Sequence, residues 1–258
     1  MSEALIQTSI TDGVMTLRLN RADKKNSLTA TMYTALAEAF DQAAADSSVR
    51  VVLITGSGDS FCAGNDLVDF LQNTPSDAEQ APVMVFMRTM SSFKKPIVAA
   101  VNGIAVGVGV TMLLHCDLVY AADNARFQLP FASIGICPEF GSTLLLPMMI
   151  GPARASELCL LGEMFNAQTA KDAGIVNGVA PAAELEALAR AQAEKLSRQP
   201  PNALRTTKAL LKRWTQDRMP EVIRSEAAEF MPMLKMPEAL EAMGAFMQKR
   251  KPDFSKFS

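Results

Sequence analysis

Pro96-Ile97-Val98-Ala99-Ala100-Val101-Asn102-Gly103-Ile104-Ala105-Val106-Gly107-Val108-Gly109 is the stretch on which the fold turns. An unbroken apolar run over Pro96–Val101 is the pattern of a strand buried on both faces. Glycines then punctuate the chain, and an apolar helix is expected from about Val108 to His115. Strand, glycine turn and helix is also how dinucleotide sites begin. Here Gly107-x-Gly109-x-x-Met112 lacks the third glycine of G-x-G-x-x-G, and no G-x-x-x-x-G-K-[ST] occurs in the chain. The glycines therefore serve either close packing or the aiming of backbone N–H groups, and not a phosphate cradle.

Outward from that stretch, strand and helix alternate. Ala4 to Leu19 reads as two strands around the turn signal Asp12-Gly13. Ser27-Leu28-Thr29 offers a cap for a helix through Thr31–Ala45, and Val49–Thr55 reads as a buried strand. The chain then passes through Phe61-Cys62-Ala63-Gly64-Asn65-Asp66 into a polar helical stretch ending near Ser92. Asp117–Ala121 and Ala125–Gln128 read as short strands. After Gly151 the periodicity is helical: Ala153–Leu161, Ala167–Ala173, Ala183–Ser197, Asn202–Trp214, Glu221–Met233 and Pro237–Lys249. The break Gln199-Pro200-Pro201-Asn202 divides an α/β core, 1–198, from a helical C-terminal region, 199–258.

With 258 residues, 49% of them hydrophobic, the chain can bury one large core without staples. A net charge of −2 provides no overall field for nucleic acid or an anionic membrane. The four cysteines show no C-x-x-C spacing, as expected of reduced thiols. Neither a signal-peptide pattern at Met1-Ser2-Glu3-Ala4 nor a membrane-length apolar run is present, and Phe257-Ser258 is not a peroxisomal S-K-L address. A cytoplasmic location is the expectation. With one histidine, His115, and no clustered cysteine or carboxylate ligands, no metal is expected. His115 lies late in an apolar helix and reads as structural.

One carboxylate stands out. Glu139 sits in Ile136-Cys137-Pro138-Glu139-Phe140-Gly141, ahead of Leu144-Leu145-Leu146. A carboxylate held among apolar side chains has its pKa raised toward that of a working base. The glycine run can supply N–H donors to an oxyanion, so the two together suit proton chemistry beside a carbonyl. Met84, Met87 and Met90 recur every third residue beside Val83 and Phe86, which reads either as a buried helix face or as the floor of an apolar tunnel.

Phe61-Cys62-Ala63-Gly64-Asn65-Asp66-Leu67, then Lys95-Pro96 through Asn102-Gly103, then Cys116-Asp117, then Pro138-Glu139, follow the order and spacing of the crotonase superfamily of acyl-CoA enzymes. The resemblance extends through Gly244-Ala245-Phe246 and Lys249-Arg250-Lys251. Ala63-Gly64-Asn65-Asp66-Leu67, Leu129-Pro130-Phe131 and Cys137-Pro138-Glu139 resemble most the Δ3,Δ2-enoyl-CoA isomerases of peroxisomal type. The resemblance implies an α/β spiral of ββα units with C-terminal helices that assemble trimers, singly or as a dimer of trimers. It implies an acyl-CoA thioester substrate and no cofactor beyond the coenzyme A that the substrate carries.

By the same match, Glu139 is the base and the backbone N–H groups of Asn65 and Val108 form the oxyanion hole. Ala63, Gly64, Asp66, Leu67, Gly107 and Phe131 border the substrate, and Lys25 and Lys249 are placed for the phosphates of coenzyme A. Asp66 is also expected to cap the helix that follows it. Family members that hydrate 2-enoyl-CoA carry two glutamates where this chain has Thr111 and Phe131. Neither residue cycles a proton near neutral pH, so moving a double bond with one carboxylate is favoured over adding water. Thr111 is expected to cap or back-bond within its helix. The rival readings are a hydratase or another activity of the same superfamily, and an acyl-CoA-binding subunit without turnover.

Overall fold

Every residue of β3 (Val51–Gly56) and β5 (Ile97–Val101) is buried, and each pairs in parallel on both sides. This is what continuous apolar runs produce when helices or a second sheet cover both faces. The computed structural model describes residues 3–66, 68–69 and 78–257. The larger sheet has the order β1-β2-β3-β5-β7-β10, in which β1 (Ile6–Thr11) and β2 (Val14–Leu19) form the expected hairpin and the others run parallel. β7 is Leu118–Ala122 and β10 is Gly178–Ala180.

A smaller sheet has the order β4-β6-β8-β9, with β4 at Ser60–Cys62, β6 at Ile104–Val106, β8 at Arg126–Gln128 and β9 at Phe165–Asn166. Three times in succession the chain leaves a strand in the large sheet and places the next in the small one: β3 then β4, β5 then β6, β7 then β8. That alternation is the spiral of ββα units. β4, β6, β9 and β10 were not among the expected strands. They are two or three residues long, too short for periodicity to show, and β6 lies within what reads as a glycine turn.

The helix Ala30–Ala45 is capped by Thr29, whose Oγ1 accepts the Met32 N–H at 3.3 Å. It packs against Pro82–Ser91, while Leu185–Ser197 lies across β3, β5 and β7. The expected helix over Val108–His115 is α-helical only to Thr111 and continues as a 3-10 turn over Met112–His115. Ser142–Ile150, which contains Pro147 and is apolar on nearly all sides, is a helix that periodicity does not reveal. The helices Pro152–Leu161, Ala167–Asp172, Leu185–Ser197, Pro201–Gln216, Met219–Met233 and Pro237–Met247 fall where expected, within a few residues.

Candidate active site

Two backbone donors lie at the carboxyl ends of neighbouring parallel strands, β4 and β6. Leu28 pairs with the segment beyond β4, donating to the Gly64 carbonyl at 2.8 Å and accepting from the Asp66 N–H at 2.9 Å. Asn65, between those partners, therefore turns its own N–H away from Leu28, toward the end of β6. Val108 is the first residue of its helix, so its N–H has no intrahelical acceptor. Among the described residues neither N–H has an acceptor.

Close contact holds the two segments together. Gly64 has φ +97°, and a Cβ there would lie 3.2 Å from the Val106 carbonyl oxygen. A Cβ on Gly109 would lie 2.3 Å from the Cys62 carbonyl oxygen, so only glycine lets the helix approach β4. Gly107, at φ +53°, precedes Val108 and accepts the Thr111 N–H at 3.0 Å. The Phe131 ring reaches this turn, 4.0 Å from where a Cβ on Gly107 would be. Phe131 thus lies beside the turn that carries the Val108 donor.

Glu139 is buried, and its Oε1 has no hydrogen-bond partner among the described residues. It faces an apolar cleft, partly open to solvent, walled by the helices Ala30–Ala45, Pro82–Ser91 and Met219–Met233. Met84 and Met87 line this cleft whereas Met90 is buried in the core, so one helix face serves both expected purposes. Burial, with the Glu226 charge adding to it, pushes the Glu139 carboxyl up to about 8. Such a group can take a proton from carbon and return it near neutral pH.

The turn that carries Glu139 is tight. Phe140 and Gly141 have φ of 62° and 72°, and the Glu139 carbonyl accepts from the Ser142 N–H at 3.2 Å and the Ser142 hydroxyl at 2.6 Å. Positive φ at a phenylalanine is uncommon and costly. Phe140 is held by His115 and by an edge contact with Phe86, whose ring is 5.7 Å away. His115 is buried and neutral, with its pKa driven by burial down to about 3, consistent with its structural reading.

Tyr33 links the base to the donors. Its hydroxyl donates to Asn65 Oδ1, and its phenol is pushed well above the ordinary value by burial first and by Glu139 second. Neither Tyr33 nor Glu226 was singled out from sequence. The signal for Glu226 was a charged residue sharing a helix face with Ile223 and Phe230, three residues before and four after it. Nothing local marks Tyr33.

The other expected site residues are placed as follows. Ala63 donates its N–H to the Lys25 carbonyl at 3.0 Å, so Lys25 borders the loop, with its ammonium paired to Asp59 at 2.6 Å. Asp66 pairs with Arg21 at 2.7 Å and accepts the Asp69 N–H at 3.1 Å, in the manner of a cap. Leu67 lies outside the described residues. Lys249 is exposed after the last helix. Thr111 neither caps nor back-bonds: its Oγ1 is buried without a partner among the described residues. Among those residues no group of three histidine, cysteine, aspartate or glutamate side chains could hold a metal, and no helix is long and apolar enough to cross a membrane.

The model of the family described as Enoyl-CoA hydratase/isomerase matches residues 9–256. The chain is 34% identical over 254 residues to the 2,3-dehydroadipyl-CoA hydratase of Escherichia coli, covering 98% of this chain and 99% of that protein. It is 33% identical to enoyl-CoA delta isomerase 2 of Rattus norvegicus, covering 96% of this chain and 64% of that protein. A crystal structure of an enoyl-CoA hydratase/isomerase from Pseudoalteromonas atlantica superposes with a TM-score of 0.92 at 38% identity, covering 97% and 100% of the two chains. The relatives thus include both a hydratase and an isomerase.

Proposed function

The chain belongs to the enoyl-CoA hydratase/isomerase family and has the crotonase fold, and from that premise we propose that it is an isomerase moving a double bond from C3 to C2 of an acyl-CoA thioester. The observation that carries this reading is the state of its carboxylates. Among the described residues Glu139 alone presents a buried oxygen without a partner to the apolar cleft, while both oxygens of the neighbouring Glu226 already accept hydrogen bonds. One free base suits a proton shuttle better than hydration, which must both activate water and deliver a proton to carbon.

In the proposed reaction the thioester oxygen lies against the N–H groups of Asn65 and Val108. Glu139 takes a proton from C2, the C2–H electron pair delocalises into the thioester, and the resulting dienolate oxygen is held by the two donors. These donors are fixed in advance, and Val108 adds the positive end of a helix. Glu139 then returns its proton to C4 on the same face, leaving the double bond conjugated with the carbonyl. No water is consumed and no other group changes protonation. The acyl chain extends along Met84 and Met87, whose flexible side chains adapt to its shape. Ala63, Gly64 and Asp66 border the thioester end, with Lys25 at the rim.

The protomer is proposed to assemble as a trimer. The helix Pro201–Gln216 buries no residue within its own chain, yet exposes Leu210, Leu211 and Trp214, the last two at 79%. The cytoplasm is the proposed compartment, in keeping with four unpaired thiols.

Following a deuterium label from C2 of 3-hexenoyl-CoA tests the reaction. Appearance of the label at C4 of the conjugated product supports a single-base shuttle. Water addition to crotonyl-CoA without any shift of the 3-enoyl substrate would favour the hydratase reading instead.

A further inference from the structure

The carboxylate of Glu226 belongs to the C-terminal helical region, 87 residues after Glu139, yet it closes the turn that presents the base. Its Oε2 accepts the Gly141 N–H at 2.6 Å, and its Oε1 accepts the Thr143 N–H at 3.0 Å and the Thr143 hydroxyl at 2.6 Å. Gly141 is the N-cap of the helix Ser142–Ile150, so Glu226 satisfies first-turn donors that the chain itself leaves open. Burial raises the Glu226 carboxyl above its ordinary value, while its hydrogen bonds from Thr143 and Gly141, at the positive end of a helix, oppose that shift and favour the ionised form. Glu139 has none of these partners on Oε1, so of the two carboxyls Glu226 holds the negative charge and Glu139 the proton.

Assuming the reading of Glu139 as the base, we propose that Glu226 is the positioning residue of this active site. It anchors the Glu139–Thr143 turn to the helix Met219–Met233, and its fixed negative charge sets the pH range over which Glu139 serves as base. Among the described residues no other group facing Glu139 is suited to that task. Tyr33 and the thiols of Cys62 and Cys137 are all pushed toward their neutral forms by burial. His115, stacked on Phe140, is neutral. Asp69, on the cleft wall, is tied to the Ala30 N–H at 2.7 Å. A buried anion beside the base favours its proton, whereas among the described residues no cation lines the cleft to oppose this.

The role is tested with Glu226→Gln and Glu226→Asp in the full chain, by the pH profile of kcat/KM on 3-hexenoyl-CoA and by kcat and KM separately. Glu226→Gln removes the charge, so the acid limb should move to lower pH, roughly tenfold in base fraction for each pH unit. Its kcat plateau should fall because one anchoring acceptor is lost. Glu226→Asp keeps the charge but shortens the reach, and should lower kcat at little change in KM with the limb in place. A folded Glu226→Gln whose limb stays with wild type would overturn the electrostatic role. Wild-type kcat in Glu226→Asp would overturn the anchoring role, and decides the matter if Glu226→Gln does not fold.

A readout without turnover separates this proposal from the reaction itself. The carboxylic acid band that Glu139→Gln removes from the infrared spectrum reports the protonation of Glu139. Its titration midpoint should fall in Glu226→Gln whether or not 3-enoyl thioesters prove to be the substrate, and an unmoved midpoint would count against Glu226.

Discussion

His115 donates its Nε2–H to the Phe140 carbonyl at 2.7 Å, and the two rings stack with centroids 4.1 Å apart. A carbonyl can only accept, so this contact fixes the neutral tautomer with the proton on Nε2. The histidine thus secures the strained residue immediately after the base. Replacing it by Phe keeps a ring but leaves a buried carbonyl unpaired, an expected cost of about 1–3 kcal/mol in a denaturation experiment. kcat should fall while KM changes little. The acid limb of kcat/KM should persist in His115→Phe, since the limb belongs to Glu139.

Glu139 makes stability depend on pH in a defined sense. Its folded pKa, about 8, lies above its ordinary value of 4.5. Below pH 4.5 both folded and unfolded chains carry the proton and the group is neutral to stability. As pH rises from 4.5 to 8 the unfolded chain ionises while the folded one does not, so stability is lost through that window and levels off above it. Glu139→Gln should therefore match wild type near pH 4 and exceed it above pH 8 by on the order of several kcal/mol. Urea midpoints measured across this range check the difference.

The oxyanion hole is a backbone device, and its mutational signature should reflect that. Gly64→Ala places a Cβ against the Val106 carbonyl at a φ of +97°. It should swing the Asn65 N–H out of line and lower kcat by about 10²–10³. Asn65→Ala retains the N–H and removes only the acceptor of the Tyr33 hydroxyl, so its loss should be smaller. Steady-state kinetics of the two variants at saturating substrate tests the order.

The helix Pro201–Gln216 buries no residue fully and is tied to its own protomer through lysines. Lys208 Nζ donates to the Lys95 carbonyl and pairs with Asp117, both at 2.7 Å, and Lys212 Nζ donates to the His115 carbonyl at 2.7 Å. Its exposed apolar face is then free for assembly. Leu211→Asp combined with Trp214→Glu should convert the proposed trimer to monomers in sedimentation velocity. An unchanged mass would place the interface elsewhere.

Much of this architecture is legible in the chain because its signals are local. Asp12-Gly13 marks the first hairpin, the runs of β3 and β5 mark buried parallel strands, and Glu139 stands out as a carboxylate in an apolar segment. The spiral is not legible from periodicity, because β4 and β6 are three residues each and gain their identity only by pairing within the small sheet, β4 with β6 and β6 with β8. Glu226 and Tyr33 escape notice for a related reason. Each acts through contacts more than thirty residues distant in sequence, Tyr33 on Asn65 and Glu226 on Gly141 and Thr143. Thr111 shows the reverse error: a local role suits a threonine in a helix, yet its hydroxyl faces a buried space without a local partner.

The central claim, that one carboxylate shuttles a proton along the acyl chain, is tested most directly by absorbance of the conjugated thioester when 3-hexenoyl-CoA meets wild type and Glu139→Gln. The account predicts a rise with wild type and none with the variant, at unchanged folding by circular dichroism. Full activity in Glu139→Gln, or no rise with wild type while crotonyl-CoA is hydrated, would contradict it.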